Sequence, residues 1–581
     1  MHMLLDPYRP YATGSTRTNP KGLNFFGLCC VLWLGVMAAT AQGDAVSADA
    51  DDSPAAERPN FVFVIVDDER RLRQNHLDEG RLPNGRPRNV SPTLDRLAAE
   101  GTVLPRMYAT TPICVPSRFA CLTGQLGSRA VNTAVMRSVE IHDYPMVAQN
   151  TLILPDTPTL PRMLQKAGYF TGVIGKNHVI EVPEFEGFAA DDDPRDPAII
   201  DQLRQNHERV RQAFLGAGFD YADRLYHDNL AANQPRALRA HNLDWLADGA
   251  LKFLDLAADR PFFLYLATTT PHGPNSSPHT WDADRRITPL GLLDEPMDVL
   301  ISADEVRRRL TEAGIDPTSE HGREGNTLWT DDLIRVVIER LETLGELDNT
   351  VVVFFNDHGI EQGKSSLYEG GMRSSAVVWG PGVGVKPQRL ENTLASNVDF
   401  VPTFLALAGI DSETSGVKLD GVNLSPVLRG EADAVRDHVI GELGYSRAVV
   451  GERFKYLALR PSEYAQNVPM QIRRQQLRRW FARRDRIGLP RGDNRTNDPY
   501  PHTFNIPGGT DNNWPSMRKH PHYFDPDQLY DLHADPDEQH NLADDPAHAS
   551  TLERLRSQLE AYVRSTPYPF GEFGSGTAAA D

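Results

Sequence analysis

Residues 58–68 read RPNFVFVIVDD. The run from Phe61 to Val66 is apolar without a polar alternation, as in a strand buried on both faces, and it stops at two aspartates, Asp67 and Asp68. The same design returns at residues 170–176 (FTGVIGK), 261–268 (PFFLYLAT) and 350–358 (TVVVFFNDH). Helical patterns lie between these runs, at residues 92–101, 159–168, 243–258 and 329–345. Strands alternating with helices predict an α/β chain whose parallel sheet carries helices on both faces. In such sheets ligands bind beyond the carboxyl ends of the strands. Polar residues punctuate those ends each time: Asp67 and Asp68, Lys176, His272, and Asp357 with His358.

From about residue 435 the pattern changes. HVIGELGYSRAVVGERFKYLALR reads as short antiparallel strands and residues 551–564 as one amphipathic closing helix, so a smaller α+β domain is expected over residues 435–566 after a catalytic domain at 59–434. Residues 567–581 are expected to be a loose tail, because GEFGSGTAAAD is small and polar. Within the second domain, IRRQQLRRWFARRDRIG (residues 472–488) places paired arginines at helical spacing. It reads as a solvated helix face with Trp480 and Phe481 packed inward; the competing reading is a contact for an anionic polymer.

At the other end, basic residues lead into LNFFGLCCVLWLGVMAATA, an apolar run ending in the small-residue site Ala39-Thr40-Ala41. This is the pattern of an export signal over residues 1–41, and it points to a periplasmic or secreted protein with no stable membrane anchor. The alternative is an uncleaved anchor, since the run approaches the roughly 18 apolar residues that span a bilayer. Residues 42–58 have too little apolar content to pack and read as a flexible acidic spacer. Cleavage removes Cys29 and Cys30, leaving Cys114 and Cys121. On one helix their Cα atoms would lie roughly 10 Å apart, too far for a disulfide, so Cys121 reads as a small core residue.

The chain has 581 residues and a formal net charge of −19. That charge opposes nucleic acid and anionic membrane surfaces as partners, while leaving room for a local basic pocket.

Residues 114–124 read CVPSRFACLTG. As a helix start this accounts for Pro116 in the first turn, Ser117 as a local cap and Leu122 turned inward, but not for Cys114 and Arg118. Cys-Val-Pro-Ser-Arg followed by Leu-Thr-Gly resembles the signature of the formylglycine-dependent (type I) sulfatases, and further elements follow in that family's order. Asp67, Asp68, Asp357 and His358 resemble its metal ligands, with Cys114 beside them. Gly175-Lys176-Asn177-His178 resembles its glycine-lysine-tryptophan-histidine element, with Asn177 in place of tryptophan, which puts the local packing in question. Pro271-His272-Gly273-Pro274 matches the element that supplies a second histidine. Lys364, in GKSSLYEGGMR, matches its second sulfate-contacting lysine, with Tyr368, Glu369 and Arg373 at the expected offsets. DQLYDLHADPDEQHNLA resembles its C-terminal segment.

The resemblance implies an alkaline-phosphatase-like fold, with a large mixed, mostly parallel sheet sandwiched by helices and a smaller C-terminal α+β domain. It implies a sulfuric ester hydrolase acting on a sulfated carbohydrate. Cys114 would be converted to formylglycine by a formylglycine-generating enzyme that reads Pro116 and Arg118. Three carboxylates make a hard oxygen site, favouring Ca²⁺ with Mg²⁺ as second choice. Arg118, Lys176 and Lys364 would neutralise the sulfate, His272 would serve the leaving alcohol and His178 would be the base that releases sulfate. GKNHV is closer to the corresponding element of heparan N-sulfatases than to that of arylsulfatases. Two competing readings remain: a phosphonate or phosphodiester hydrolase on the same scaffold, and an anionic-glycan-binding protein in which Cys114 stays a thiol.

Overall fold

The computed structural model describes residues 58–230, 234–318, 323–361, 363–486, 491 and 514–574. The expected export signal and nearly all of the acidic spacer lie outside the described residues. Among the described residues, no helix is long and apolar enough to cross a membrane.

The strands in chain order are β1 (Asn60–Val66), β2 (Thr102–Tyr108), β3 (Phe170–Lys176), β4 (Tyr221–Tyr226), β5 (Phe262–Ala267), β6 (Ile287–Thr288), β7 (Gly291–Leu292), β8 (Thr350–Asn356), β9 (Arg373–Trp379), β10 (Gln388–Arg389) and β11 (Ala395–Ser396). A second set follows: β12 (His438–Leu443), β13 (Ser446–Gly451), β14 (Phe454–Leu459) and β15 (Asp527–Asp531). The large sheet has the order β10-β2-β9-β8-β1-β5-β3-β4, with β11 also on β2. β1 runs parallel to both β5 and β8, and β3 runs parallel to β4 and β5. β9 is antiparallel to its neighbours β8 and β2, which makes the sheet mixed.

β1 is central because both its faces are apolar. Phe61, Phe63 and Ile65 enter one core with Phe119, Leu122 and Phe404, while Val62, Val64 and Val66 enter the other with Leu246, Trp329 and Leu333. Each core lies between the sheet and a helical layer. Register brings the carboxyl ends together: Val66 pairs with Asn356, Ile65 with Ala267, and Ala267 with Gly175.

β12 to β15 form a separate four-stranded antiparallel sheet in sequential order. The helix Ala549–Arg564 covers it through Leu555, Leu559 and Val563, in a cluster that also takes in Ala120, Leu126 and Val398 from the large-sheet side. Phe570 and Phe573 are buried in the same cluster, and Glu572 pairs with Arg460 and Arg556. Residues 567–574, expected to be loose, are therefore packed, because Phe570 and Phe573 supply the apolar anchors; residues 575–581 lie outside the described residues.

The helix expected from residue 329 begins earlier and spans Arg323–Leu344. The arginine-rich stretch forms the helix Met470–Arg486, in which Leu477 is buried and Trp480, Phe481 and Met517 pack against it.

Candidate active site

Asp67 leaves β1 fully buried, held by its N–H donating to the Thr270 carbonyl at 3.1 Å. Asp68 follows with φ +63°, a left-handed conformation that is strained for a side-chain-bearing residue, and a carboxylate oxygen of each aspartate comes within 4.8 Å of the other. Its N–H donates to Asp357 Oδ1 at 3.3 Å. Asp357 leaves the parallel strand β8 directly alongside, its own N–H bonded to the Val66 carbonyl at 3.1 Å.

The helix Cys114–Thr123 starts against this pair of strand ends. Ser117 does not cap it: its hydroxyl donates to the Asp357 carbonyl, and Asn397 Nδ2 donates to Ser117 Oγ at 3.0 Å and to Ser117 O at 3.1 Å. That clamp places Cys114 Sγ 3.4 Å from Asp67 Oδ1 and 3.4 Å from His358 Nε2. Burial, then Asp67 and Asp357, raise the Cys114 thiol well above its usual range. Cys121 is buried and free, as expected of a core residue.

His358 Nδ1 lies 2.9 Å from the Gly359 carbonyl, which only accepts, so Nδ1 carries a proton and Nε2 faces Asp68 Oδ1 at 3.6 Å and Asp357 Oδ1 at 3.8 Å. His272 repeats the arrangement, with Nδ1 3.1 Å from the Gly273 carbonyl and Nε2 3.6 Å from Asp68 Oδ2. Asp67, Asp68, Cys114 and His272 bring ligand-type atoms within 4.8 Å of one another, and so do Cys114, Asp357 and His358. The donor set, three carboxylates with imidazoles at its rim, fits a hard divalent cation. Sequence reasoning placed His272 outside the metal group; the structure puts it against Asp68.

Three cations face the carboxylates. Arg118 Nη2 lies 3.4 Å from Asp357 Oδ2 and 3.9 Å from Asp67 Oδ1, and its Nε and Nη1 are buried without a hydrogen-bond partner. Lys176 Nζ donates to Asp67 Oδ2 and to Asn229 Oδ1. Lys364 Nζ donates to both oxygens of Asp68 at 2.5 Å. Burial pushes Asp67 and Asp68 up, but the cations outweigh it: Lys176 for Asp67 and Lys364 for Asp68 hold both well below the usual carboxylate range. Asp357 is raised by burial, which His358 and Arg118 only partly offset.

Gly175 aims Lys176. It takes φ +103°, and a Cβ there would meet the Ala267 carbonyl oxygen at 1.9 Å, so no other residue fits. Asn177 settles the packing that its departure from tryptophan put in question. It is buried, accepting from the Ile180 N–H at 2.8 Å and donating to the Ile180 carbonyl at 2.9 Å, which closes the turn that presents His178. His178 Nε2 lies 2.9 Å from Asp228 Oδ1 while its Nδ1 is buried without a hydrogen-bond partner. Burial and the Lys176 charge lower His178, against Asp228. Asp228 and Asn229 were missed in the sequence, although they lie just past the end of β4, separated from it by His227.

The loop that carries Lys364 is held from the second sheet. Lys455, fully buried on β14, lies 3.1 Å from Glu369 and 2.9 Å from Glu538, and Glu538 Oε2 accepts from the Glu369 N–H at 2.6 Å. Ser516 and Ser366 hydroxyls meet at 3.1 Å on the other side of the loop. The C-terminal segment thus supports the site from behind.

A helix start bearing Cys114, a carboxylate cluster and three cations thus meet at the ends of parallel strands. Residues 59–410 match the model of the sulfatase family, and the chain belongs to that family: it is a sulfuric ester hydrolase. It is 29% identical over 406 residues to human N-acetylgalactosamine-6-sulfatase, covering 65% of this chain and 67% of that one. It is 26% identical over 448 residues to the choline-sulfatase of Rhizobium meliloti, covering 70% and 80%. A Bacteroides thetaiotaomicron structure described with the metabolism of multiple glycosaminoglycans has a TM-score of 0.53 at 20% identity, over 87% of this chain and 99% of that one. That likeness is one of fold, the alkaline-phosphatase-like arrangement that the resemblance implied.

Proposed function

We propose that the protein hydrolyses a sulfate ester of a carbohydrate and releases inorganic sulfate, with residue 114 as the nucleophile after conversion to formylglycine. The observation that carries this reading is the position of Cys114 Sγ, within 3.4 Å of Asp67 and of His358 and ringed by Arg118, Lys176 and Lys364. A serine in that place would end as its own sulfate ester, whereas the hydrated aldehyde supplies one hydroxyl to attack sulfur and a second to expel sulfate. A Ca²⁺ ion held by Asp67, Asp68, Asp357 and His358 would supply a Lewis acid to the sulfate oxygens.

The remaining work falls to side chains of this chain. Arg118, Lys176 and Lys364 neutralise sulfate charge, most strongly as it moves toward the leaving oxygen. His272, fixed by the Gly273 carbonyl, and Lys364 serve the leaving alcohol as acid. His178, oriented by Asp228, takes the proton that frees sulfate. N-Acetylgalactosamine-6-sulfatase among the relatives supports a sulfated sugar as substrate, and the leader supports export to the periplasm or beyond, with maturation by a formylglycine-generating enzyme on the way.

Mass spectrometry of the Cys114 peptide from native material tests the nucleophile: conversion lowers its mass by roughly 18 Da. Turnover of an aryl sulfate against an aryl phosphonate tests the reaction. An unconverted thiol together with sugar binding and no turnover would instead make it a glycan-binding protein, and a preference for the phosphonate would move it to phosphorus chemistry.

A further inference from the structure

Beside the cation cluster stand two more guanidinium groups, Arg323 against the His272 loop and Arg70 close to Arg323. Arg70 lies two residues past Asp68, and its Nε is buried without a hydrogen-bond partner. Arg323 opens the helix Arg323–Leu344. The two sit on one frame, because Arg73 Nε is 3.0 Å from Glu324 Oε1 and Thr327 Oγ1 donates to Glu69 Oε2 at 2.6 Å. On its other side Arg323 reaches the His272 loop. With the Asn275 carboxamide turned to satisfy both ends, its oxygen accepts from Arg323 Nη2 at 2.8 Å and Nε at 3.1 Å, and its nitrogen donates to the carbonyls of Pro271 at 2.7 Å and His272 at 3.1 Å.

The nearby acids are already engaged. Glu69 meets Thr327 and Arg73, Glu324 meets Arg73, and Asp68 meets Lys364. Among the described residues no ion pair is formed by Arg70 or Arg323. Burial, then Arg73 and Arg70, lower Arg323 against the nearby charges of Asp68 and Glu69. Two half-buried like charges, neither of them in an ion pair of its own, repel each other in the empty protein, and an arriving anion offsets that repulsion. In a chain of net charge −19 acids are plentiful, so leaving these two unpaired beside the cation cluster needs a ligand to explain it.

We propose that Arg70 and Arg323 form a second oxyanion subsite on the leaving-group side of the pocket, which takes a sulfate or carboxylate carried by the same substrate. The proposal rests on the sulfatase reading and on His272 facing the leaving alcohol. It names the substrate class as a saccharide with at least two anionic groups. A cationic leaving group such as choline is repelled there.

The test separates the subsite from the chemistry by measuring binding in the Cys114→Ala background, which has no nucleophile at residue 114. A monosulfated hexosamine, a disulfated hexosamine and a monosulfated uronic-acid disaccharide are titrated calorimetrically into that protein and into the same protein with Arg70→Gln and Arg323→Gln. The expected result is a preference for the doubly anionic ligands that falls about tenfold or more in the double variant, the scale of a charge-assisted hydrogen-bond pair. Which ligand loses more identifies sulfate or carboxylate as the group held. An unchanged preference, or equal weakening of all three ligands, overturns the proposal. Steady-state kinetics on the Cys114 enzyme should place the loss in KM for the doubly anionic sugars; failure of the wild-type enzyme on every sulfate ester would sink the sulfatase reading, while the binding result stands on its own.

Discussion

Lys364 Nζ lies 2.5 Å from both carboxylate oxygens of Asp68, joining a loop after β8 to the strained residue after β1. Asp68 would be raised by burial, and this lysine is the main reason that it stays ionised. Lys364→Ala should lower kcat/KM for an aryl sulfate by about 10²–10³, the scale of one lost transition-state donor. Lys364→Arg should not restore it, because a planar fork cannot sit where a compact ammonium does. Near-normal kinetics in Lys364→Ala would remove Lys364 from the chemistry.

Cys114→Ser and Cys114→Ala should both lose multiple turnover by at least about 10³, since neither can form the hydrated aldehyde. Stability should change by only about 1 kcal/mol, the usual scale for one small buried substitution. Initial rates, followed past one equivalent of product, decide the matter; sustained turnover by Cys114→Ser would end the aldehyde mechanism.

Asp67, Asp68 and Asp357 converge with two imidazoles, so chelation should lower both activity and melting temperature. At free Ca²⁺ of 100 to 1,000 times Kd the stabilisation forfeited is about 3–4 kcal/mol. Differential scanning fluorimetry before and after chelation, with Ca²⁺ and then Mg²⁺ restored, measures it. A fully active protein free of metal by elemental analysis would refute the site.

Several histidines far from the pocket are buried and held neutral. Burial lowers His142 from 6.5 to about 4, with Ser462 Oγ 2.7 Å from its Nδ1, and burial with Arg71 and Arg389 lowers His76 to about 3. Their folded pKa lies below the unfolded value, so between pH 6.5 and about 4 the unfolded chain binds protons that the folded chain refuses. This contribution to stability is full above pH 6.5 and is lost as pH falls, by about 1–3 kcal/mol for one such histidine. His142→Gln should therefore show a smaller fall in melting temperature from pH 7 to pH 5 than the wild type. An identical fall would show that His142 titrates alike in both states.

The helix Met470–Arg486 turns Trp480 and Phe481 toward Leu477 and Met517, as a solvated arginine face requires, yet Met517 neighbours Ser516, which touches the Lys364 loop. If glycan extends over it, Arg478→Gln with Arg479→Gln should raise KM for a sulfated oligosaccharide several-fold more than for an aryl sulfate. The difference should shrink in high salt, as screening shortens to a few ångströms. Equal KM changes for both substrates at all salt concentrations would leave the arginines as a surface face only.

The core strands were legible because burial on both faces erases alternation, and β1, β3, β5 and β8 each lie within two residues of the expected bounds. The early start of the helix Arg323–Leu344 was hidden, because its first turn, REGN, is polar and serves hydrogen bonds rather than a core. Residue types at strand ends singled out Asp67, Asp68, Lys176, His272, Asp357 and His358, which the structure brings together, while Cys114, Arg118 and Lys364 were singled out by the family resemblance. The supports of this cluster were not legible: Asp228, Asn229 and Asn275 act through distances set by loops, and no local pattern records which side chain a loop will face. Asn177 shows the same limit, since its turn-closing role appears only when Ile180 folds back over it.

Cys114 is 2% exposed, and every residue from Cys114 to Thr123 is buried. No second enzyme can seat that stretch in its own cleft once β8 and Asn397 have closed on Ser117. If residue 114 is converted as proposed, that conversion is a race that starts as the nascent chain emerges and ends when it folds. A variant that folds faster without being more stable would finish with more unconverted thiol, so the yield of competent enzyme depends on folding rate as well as on sequence.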